Sequence, residues 1–280
     1  MQLNEQLDGI IPADFLCYLS GHFDIIGDVA IIAIPPELDT YRPAIACAIR
    51  SGRRNIETVL CRVTGSAGQA RTAGYEILSG GRTVTIHREF GFIYHLDVMT
   101  VFFNPRLATE RRRVAEQVQP GEYVLVPFCG VGPFAIPAAT RGAIVTALEQ
   151  NPEACRWVTE NIRSNGVADR VIVIEGDAFD RSIYPDRLFD RAIIPTPYGR
   201  DGILDLIAPM VRPDGIIHFY TFRNQRQSEQ IVREFGRKGL PVVLLRRCGN
   251  VAPSVSRWAF DLRKEGDRSE KNKPPLVFHL

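Results

Sequence analysis

The segment Tyr123–Pro137, YVLVPFCGVGPFAIP, restricts the fold more than any other part of the chain. Tyr123 to Val126 is an apolar run of strand length. Gly130-Val131-Gly132 follows, and Pro133 stands at the expected first turn of a helix. Glycine lets a backbone turn tightly and approach a ligand, and proline is tolerated at a helix start. The run is therefore a strand–turn–helix unit of an α/β fold. The next strand, Ala143 to Leu148, is followed by Glu149, and a third ends at Gly176-Asp177. Open α/β sheets bind ligands beyond the carboxyl ends of such strands. A carboxylate at Glu149 can accept both hydroxyls of a ribose, and one at Asp177 can reach an adenine amino group. This order of features predicts a nucleoside-type cofactor; taken singly, each acidic residue reads equally well as a solvated turn residue. A dinucleotide motif asks for a third glycine. Ala135 stands there, and some dinucleotide sites accept alanine, so the glycines alone leave NAD open.

The rest of the chain divides in two. From residue 1 to 100, short strands alternate with turns: Asp28–Ile34, Glu57–Arg62, and a hairpin of Arg82–Arg88 and Phe92–Val98 around Gly91, with a helix over Tyr41–Arg50. This predicts a small α+β module. Over residues 101–265, helices (Leu107–Val118, Pro133–Thr140, Pro152–Ser164, Leu204–Val211, Ser228–Lys238) alternate with strands (Tyr123–Val126, Ala143–Leu148, Val171–Ile174, Phe189–Ile194, Gly215–Thr221), and Val242–Arg246 and Ser256–Leu262 close the series. Alternation of this kind predicts a mostly parallel, doubly wound sheet. Residues 266–280 read as a flexible tail.

Composition narrows the class. A 45% hydrophobic and 24% charged content is that of a soluble globular protein. The balance of 34 basic to 32 acidic residues is no nucleic-acid footprint in itself, although a local basic patch suffices for RNA. Arg53-Arg54, Arg111-Arg112-Arg113 and Arg246-Arg247 are the candidate phosphate contacts, against the commoner reading as solvated faces. The six cysteines and five histidines are scattered without ligand spacing, which predicts reduced thiols, no metal and a cytoplasmic setting. The N-terminus reads as neither a signal peptide nor a membrane span. His95 and His218 lie in strand contexts and read as structural.

Several segments together resemble one family. HFDIIGDVAII (His22–Ile32), FFNPRLATERRRVA (Phe102–Ala115), FCGVGPF (Phe128–Phe134), NPEACRWVTENIRSNGV (Asn151–Val167) and GDAFD (Gly176–Asp180) are similar to the archaeal and eukaryotic tRNA guanosine-37 N1-methyltransferases. The resemblance spans about residues 22–262. It implies a Rossmann-like class I methyltransferase sheet with a small N-terminal α+β domain, S-adenosylmethionine rather than NAD, and tRNA as partner. It further implies that Phe128, Gly130, Gly132, Glu149 and Asp177 contact the cofactor and that Arg106 contacts the substrate; Pro195 is expected at the cofactor, and Pro197 and Tyr198 at the substrate, from their place after the fourth strand. Glu110 would be the base that removes the guanine N1 proton, and Arg71, in RTAGYE, the cation at guanine O6. On the bare sequence Glu110 reads as an exposed helix carboxylate paired with Arg113 or Arg106, and Arg71 as a solvated loop arginine.

The pattern breaks at three places. The family's DMFAGVG is VPFCGVG here, so Val126-Pro127 brings no carboxylate before the turn. The family's Asn-Leu-Pro is replaced by Pro195-Thr196-Pro197-Tyr198; Tyr198 offers a ring for a base to stack on, or else is a half-buried loop tyrosine. About 20 residues precede the resemblance, too few for a separate tRNA-docking domain. These departures keep other readings open: a transferase acting on a wyosine precursor with a methyl or aminocarboxypropyl group, a transferase acting on a non-RNA substrate, or a non-catalytic binding protein on the same fold.

Overall fold

The computed structural model describes residues 3–63, 74–252, 254–266 and 277–279. The chain separates into two compact units, Met1–Pro105 and Arg106–Leu280. The first holds a four-stranded sheet in the order β1-β2-β3-β4, formed by β1 (Asp24–Ile26), β2 (Val29–Ile32), β3 (Thr58–Arg62) and β4 (Tyr75–Ser79). β2 and β3 are parallel, and the other pairs are antiparallel. Helices α1 (Leu3–Leu7) and α3 (Arg42–Gly52) contribute Leu7, Ile45 and Ile49 to a core shared with Ile32 and Val59. Full burial of each such side chain is worth roughly 1.5–3 kcal/mol. A short helix, α2, spans Ala13–Leu16. Strands β5 (Val84–Glu89) and β6 (Phe92–Asp97) form the expected hairpin. Its two turn residues, Phe90 and Gly91, have φ of 48° and 88°, the positive values that match the twist of a two-residue hairpin. Strands β1 and β4 and the N-terminal helices were not expected from the sequence.

The second unit is the expected α/β sheet. Its strands are β7 (Tyr123–Pro127), β8 (Ile144–Glu149), β9 (Val171–Glu175), β10 (Phe189–Ile194), β11 (Val211–Arg223), β12 (Val242–Ala252), β13 (Val255–Arg263) and β14 (Val277–His279), in the order β14-β12-β13-β11-β10-β7-β8-β9. Strands β7 to β11 run parallel, whereas β13 lies antiparallel between β11 and β12. The chain winds outward from β7 to β9, then crosses to β10 on the other side of β7. The reversal leaves a crevice at the carboxyl ends of β7 and β10, where doubly wound sheets take their ligands. Helices α4 (Ala108–Ala115), α5 (Ala135–Thr140), α6 (Pro152–Ser164), α7 (Ile203–Ile207) and α8 (Gln225–Arg237) connect the strands. The α6 bounds match the sequence reading because the caps are local: Asn151 Oδ1 accepts from Glu153 N at 3.0 Å, Pro152 opens the helix, and Gly166 turns the chain out at φ 68°. No helix among the described residues is long and apolar enough to cross a membrane.

Candidate active site

The turn after β7 is built as its glycines require. Gly130 and Gly132 adopt φ of 55° and 93°, and Phe128 before them has φ 55°. A Cβ on Gly132 would lie 2.9 Å from Val158 Cγ2, so this glycine also lets α6 close on the turn. Glu149, at the end of β8, fastens the turn to its neighbour. Its Oε2 accepts from Gly130 N at 2.8 Å, and its Oε1 accepts from Gln150 N and Asn151 N, each at 2.9 Å. Three backbone donors hold the carboxylate still and leave Oε2 a free lone-pair position for a hydroxyl. Asp177 Oδ1 accepts from Phe179 N at 3.0 Å, which fixes the loop around an exposed carboxylate. The Phe128 and Phe179 rings lie 6.3 Å apart, and the Arg200 guanidinium sits 5.2 Å from the Phe179 ring. A narrow backbone cradle, a held carboxylate and an aromatic wall fit a nucleoside cofactor. The nearby thiols are not poised to react: burial, then Glu149, pushes Cys155 up to about 12.

Glu110 lies in a second, denser arrangement. It is buried on α4 with one oxygen saturated and the other bare. Arg113 Nε and Nη2 donate to Oε1 at 2.9 and 2.5 Å, and Tyr220 OH donates to the same oxygen at 2.9 Å. Oε2 is buried and has no hydrogen-bond partner among the described residues; Arg246 Nη1 lies 3.8 Å from it. Arg113 is itself fixed by a two-pronged bond to Asp261, with Nη1–Oδ2 at 2.6 Å and Nη2–Oδ1 at 3.0 Å. Asp261 Oδ1 also meets His218 Nδ1 at 2.7 Å, and His218 Nε2 meets Arg191 Nη1 at 2.7 Å. Arginine only donates, so His218 Nε2 accepts and Nδ1–H points at Asp261. Arg191 ends the chain on Glu122, at 2.8 and 3.0 Å. Burial acts to raise Asp261, but His218 and Arg113 outweigh it and hold the carboxyl well below its ordinary range. Tyr220 ties this network to the cradle, because its ring lies 5.4 Å from that of Phe134, two residues past Gly132.

The structure corrects several readings. Glu110 does pair with Arg113, but it is 4% exposed rather than a surface carboxylate, because α4 turns Glu110, Arg111, Val114 and Ala115 inward together. The same rotation buries Arg111 and uses Arg113 internally, while Arg112 pairs with Glu116. The triple arginine is therefore not a phosphate surface. Tyr198 is 71% exposed, not half-buried. Pro197 O accepts from Arg200 N at 3.1 Å, and this tight turn carries Tyr198 outward at its tip. Pro195 is half-buried at the end of β10, Pro197 is buried, and Arg106 is exposed in the single turn Pro105–Leu107 before α4. Arg71 lies outside the described residues. Sequence reasoning missed Tyr220, Asp261 and Phe179. Alternation along β11 and β13 marks His218, Tyr220 and Asp261 as one face only after their register is known.

This sheet order, with its one reversed strand and glycine cradle, defines a class I methyltransferase. Family models match as a TRM5/TYW2 methyltransferase domain over residues 85–241 and a TYW2 N-terminal domain over residues 3–83, and the chain belongs to this family. It is 35% identical over 262 residues to the tRNA (guanine(37)-N(1))-methyltransferase Trm5b of Pyrococcus abyssi, covering 90% of this chain and 78% of that one. It is 31% identical over 280 residues to the tRNA(Phe) (4-demethylwyosine(37)-C(7)) aminocarboxypropyltransferase of Pyrococcus horikoshii, covering 100% and 94%. The crystal structure of Pyrococcus abyssi Trm5b superposes with a TM-score of 0.82 over 91% of this chain and 78% of that one. That of P. horikoshii TYW2 in complex with MeSAdo gives 0.70 at 27% identity, over 93% and 97%. The family and fold expected from the motifs are those found, and S-adenosylmethionine is the family's cofactor.

Proposed function

We propose that this chain binds S-adenosylmethionine and methylates N1 of guanosine 37 in tRNA. The observation that carries the reading is the division of labour on Glu110. One oxygen takes every donor that positions the group, and the other is buried, unbonded and available to a proton. Guanine N1 holds a proton at neutral pH and is a poor nucleophile until it is removed, which a fixed carboxylate within hydrogen-bond reach accomplishes. Gly130, Gly132, Glu149 and Asp177 would hold the cofactor, with Phe128 and Pro195 lining its crevice. When bound, the cofactor supplies an electrophilic methyl group on a sulfonium. Tyr198 presents its ring to a base drawn out of the anticodon loop, with Pro197 and Arg106 on the substrate side and Arg71 as the cation at O6. Incubation with tRNA and methyl-labelled cofactor, followed by nucleoside mass spectrometry, is expected to yield 1-methylguanosine; unlabelled tRNA would refute the reading.

A second reading, transfer to a wyosine precursor, draws support from the TYW2 N-terminal match and the end-to-end likeness to an aminocarboxypropyltransferase. A relative from Saccharolobus solfataricus, 36% identical over 217 residues, is a tRNA 4-demethylwyosine(37)-methyltransferase. Cofactor labelled separately in the methyl and carboxyl carbons separates methyl from aminocarboxypropyl transfer, and the mass of the labelled nucleoside separates guanosine from a wyosine precursor.

A further inference from the structure

Glu110 meets a row of side chains that strand register sets on one face of the second unit's sheet. Tyr220 of β11 lies opposite Ala259 of β13, and Ala259 lies opposite Arg246 of β12. Residues directly opposite on neighbouring strands share a face. The row therefore reads Tyr220, Ala259, Arg246, and the small alanine in the middle leaves room for the carboxylate that α4 brings to it. The two ends of the row treat that carboxylate differently. Tyr220 OH donates to Oε1 at 2.9 Å. Arg246 Nη1 stands 3.8 Å from Oε2, beyond hydrogen-bond reach. Oε2 is closed to solvent in this conformation. The Arg246 side chain is 39% exposed and that of Glu110 only 4%, so the guanidinium lies on a route from solvent to the oxygen. Among the described residues it donates no hydrogen bond, and Glu110 is its one ion-pair partner. No bond has to break for it to turn aside.

We propose that Arg246 selects the base jointly with Glu110: an arriving guanine moves the guanidinium off Oε2, places its N1–H on the oxygen so uncovered and accepts the guanidinium at O6. Moving a cation away from a buried carboxylate leaves two charges uncompensated unless the newcomer satisfies both. It must therefore offer a donor and an acceptor side by side. N1–H and O6 of guanine are such a pair, whereas adenine presents the reverse, an acceptor at N1 and a donor at N6. A carbonyl oxygen has two lone-pair positions, so Arg246 is a donor additional to the one proposed for Arg71. Uracil shares the donor–acceptor pattern, so the choice of guanine rests on the proposed tRNA substrate; the pairing of Arg246 with Glu110 does not.

Anticodon stem-loop RNAs of one sequence, carrying guanosine, inosine or adenosine at position 37, test the assignment by fluorescence anisotropy with the full chain and no cofactor. Inosine keeps the N1–H and O6 of guanine and lacks its 2-amino group. The wild-type chain is expected to bind the guanosine and inosine RNAs alike and the adenosine RNA about tenfold more weakly. Arg246→Met, which keeps an unbranched side chain and removes the cation, should erase that difference. Arg246→Lys, which restores a charged donor, should recover the order. A role confined to neutralising Glu110 or to holding phosphate would weaken all three RNAs by the same factor in Arg246→Met and keep the preference, and that result overturns the proposal. So does equal binding of the three RNAs by the wild-type chain, whether or not Arg246→Met folds. The measurement needs no methyl transfer. A chain that methylates tRNA but keeps its preference in Arg246→Met refutes only the role of Arg246; one whose preference depends on Arg246 but that transfers no methyl group refutes only the activity.

Discussion

Two glutamates of the second unit are held by opposite means. Glu149 is clasped by three backbone N–H groups, two from the residues that follow it and one from Gly130, 19 positions earlier. Glu110 is held by side chains alone: Arg113 on its own helix and Tyr220, 110 positions away, with Arg113 anchored by Asp261, 148 positions after Arg113. A backbone clasp survives substitution of its neighbours, because every residue but proline supplies the same donor. A side-chain clasp depends on particular partners, and its buried charges are stable only while all are present. The first arrangement suits a group that must bind; the second suits one whose free oxygen must be aimed.

The sharpest break between them is expected from Glu110→Gln. It removes the proposed proton acceptor while keeping the shape, and should lower the transfer rate about 10²–10⁴-fold with cofactor affinity by calorimetry unchanged. A parallel loss of cofactor binding would show that the two glutamates are not separable. Next, Asp261→Ala leaves Arg113 without its main anchor, and urea unfolding should report a loss of about 3–5 kcal/mol. The same group sets an acid limit. Its folded-state pKa is depressed, so its contribution is present above the unfolded value of about 3.9 and is lost as pH falls below it. The acid side of a stability–pH curve should therefore flatten in Asp261→Asn; an unchanged curve would remove Asp261 from the account. The smallest effect is expected at the cradle. Gly132→Ala sets a Cβ at φ 93° and 2.9 Å from Val158, which should cost about 1–3 kcal/mol and weaken cofactor binding more than it slows the chemical step.

The same contrast explains what could be read in advance. Residues whose surroundings are local in sequence were legible: the glycine turn, Glu149 on the following strand, the α6 caps at Asn151 and Gly166, and the alternation of strands with helices. The resemblance singled out Glu110, yet its burial was invisible because its partners sit on β11 and β13 and meet it only through strand register. For Tyr198 the sequence leaves an exposed ring and a half-buried one both open, and the Pro197–Arg200 turn decides for the exposed ring. Cofactor class and family were legible only from motifs, since a nucleoside cradle by itself serves several chemistries.

The placement of Asp261 has a consequence for biosynthesis. The cradle is complete once Asp177 has left the ribosome, but the anchor of Arg113 is translated more than eighty residues later. A chain stalled or cut after residue 241, where the family model ends, would carry the cradle sequence and Glu110 with Arg113 and Tyr220, but neither Asp261 nor the core residues Trp258, Phe260 and Leu262. Such a product should therefore fail to hold the fold of the full chain, since β13 supplies together the anchor of Arg113 and the last layer of the core.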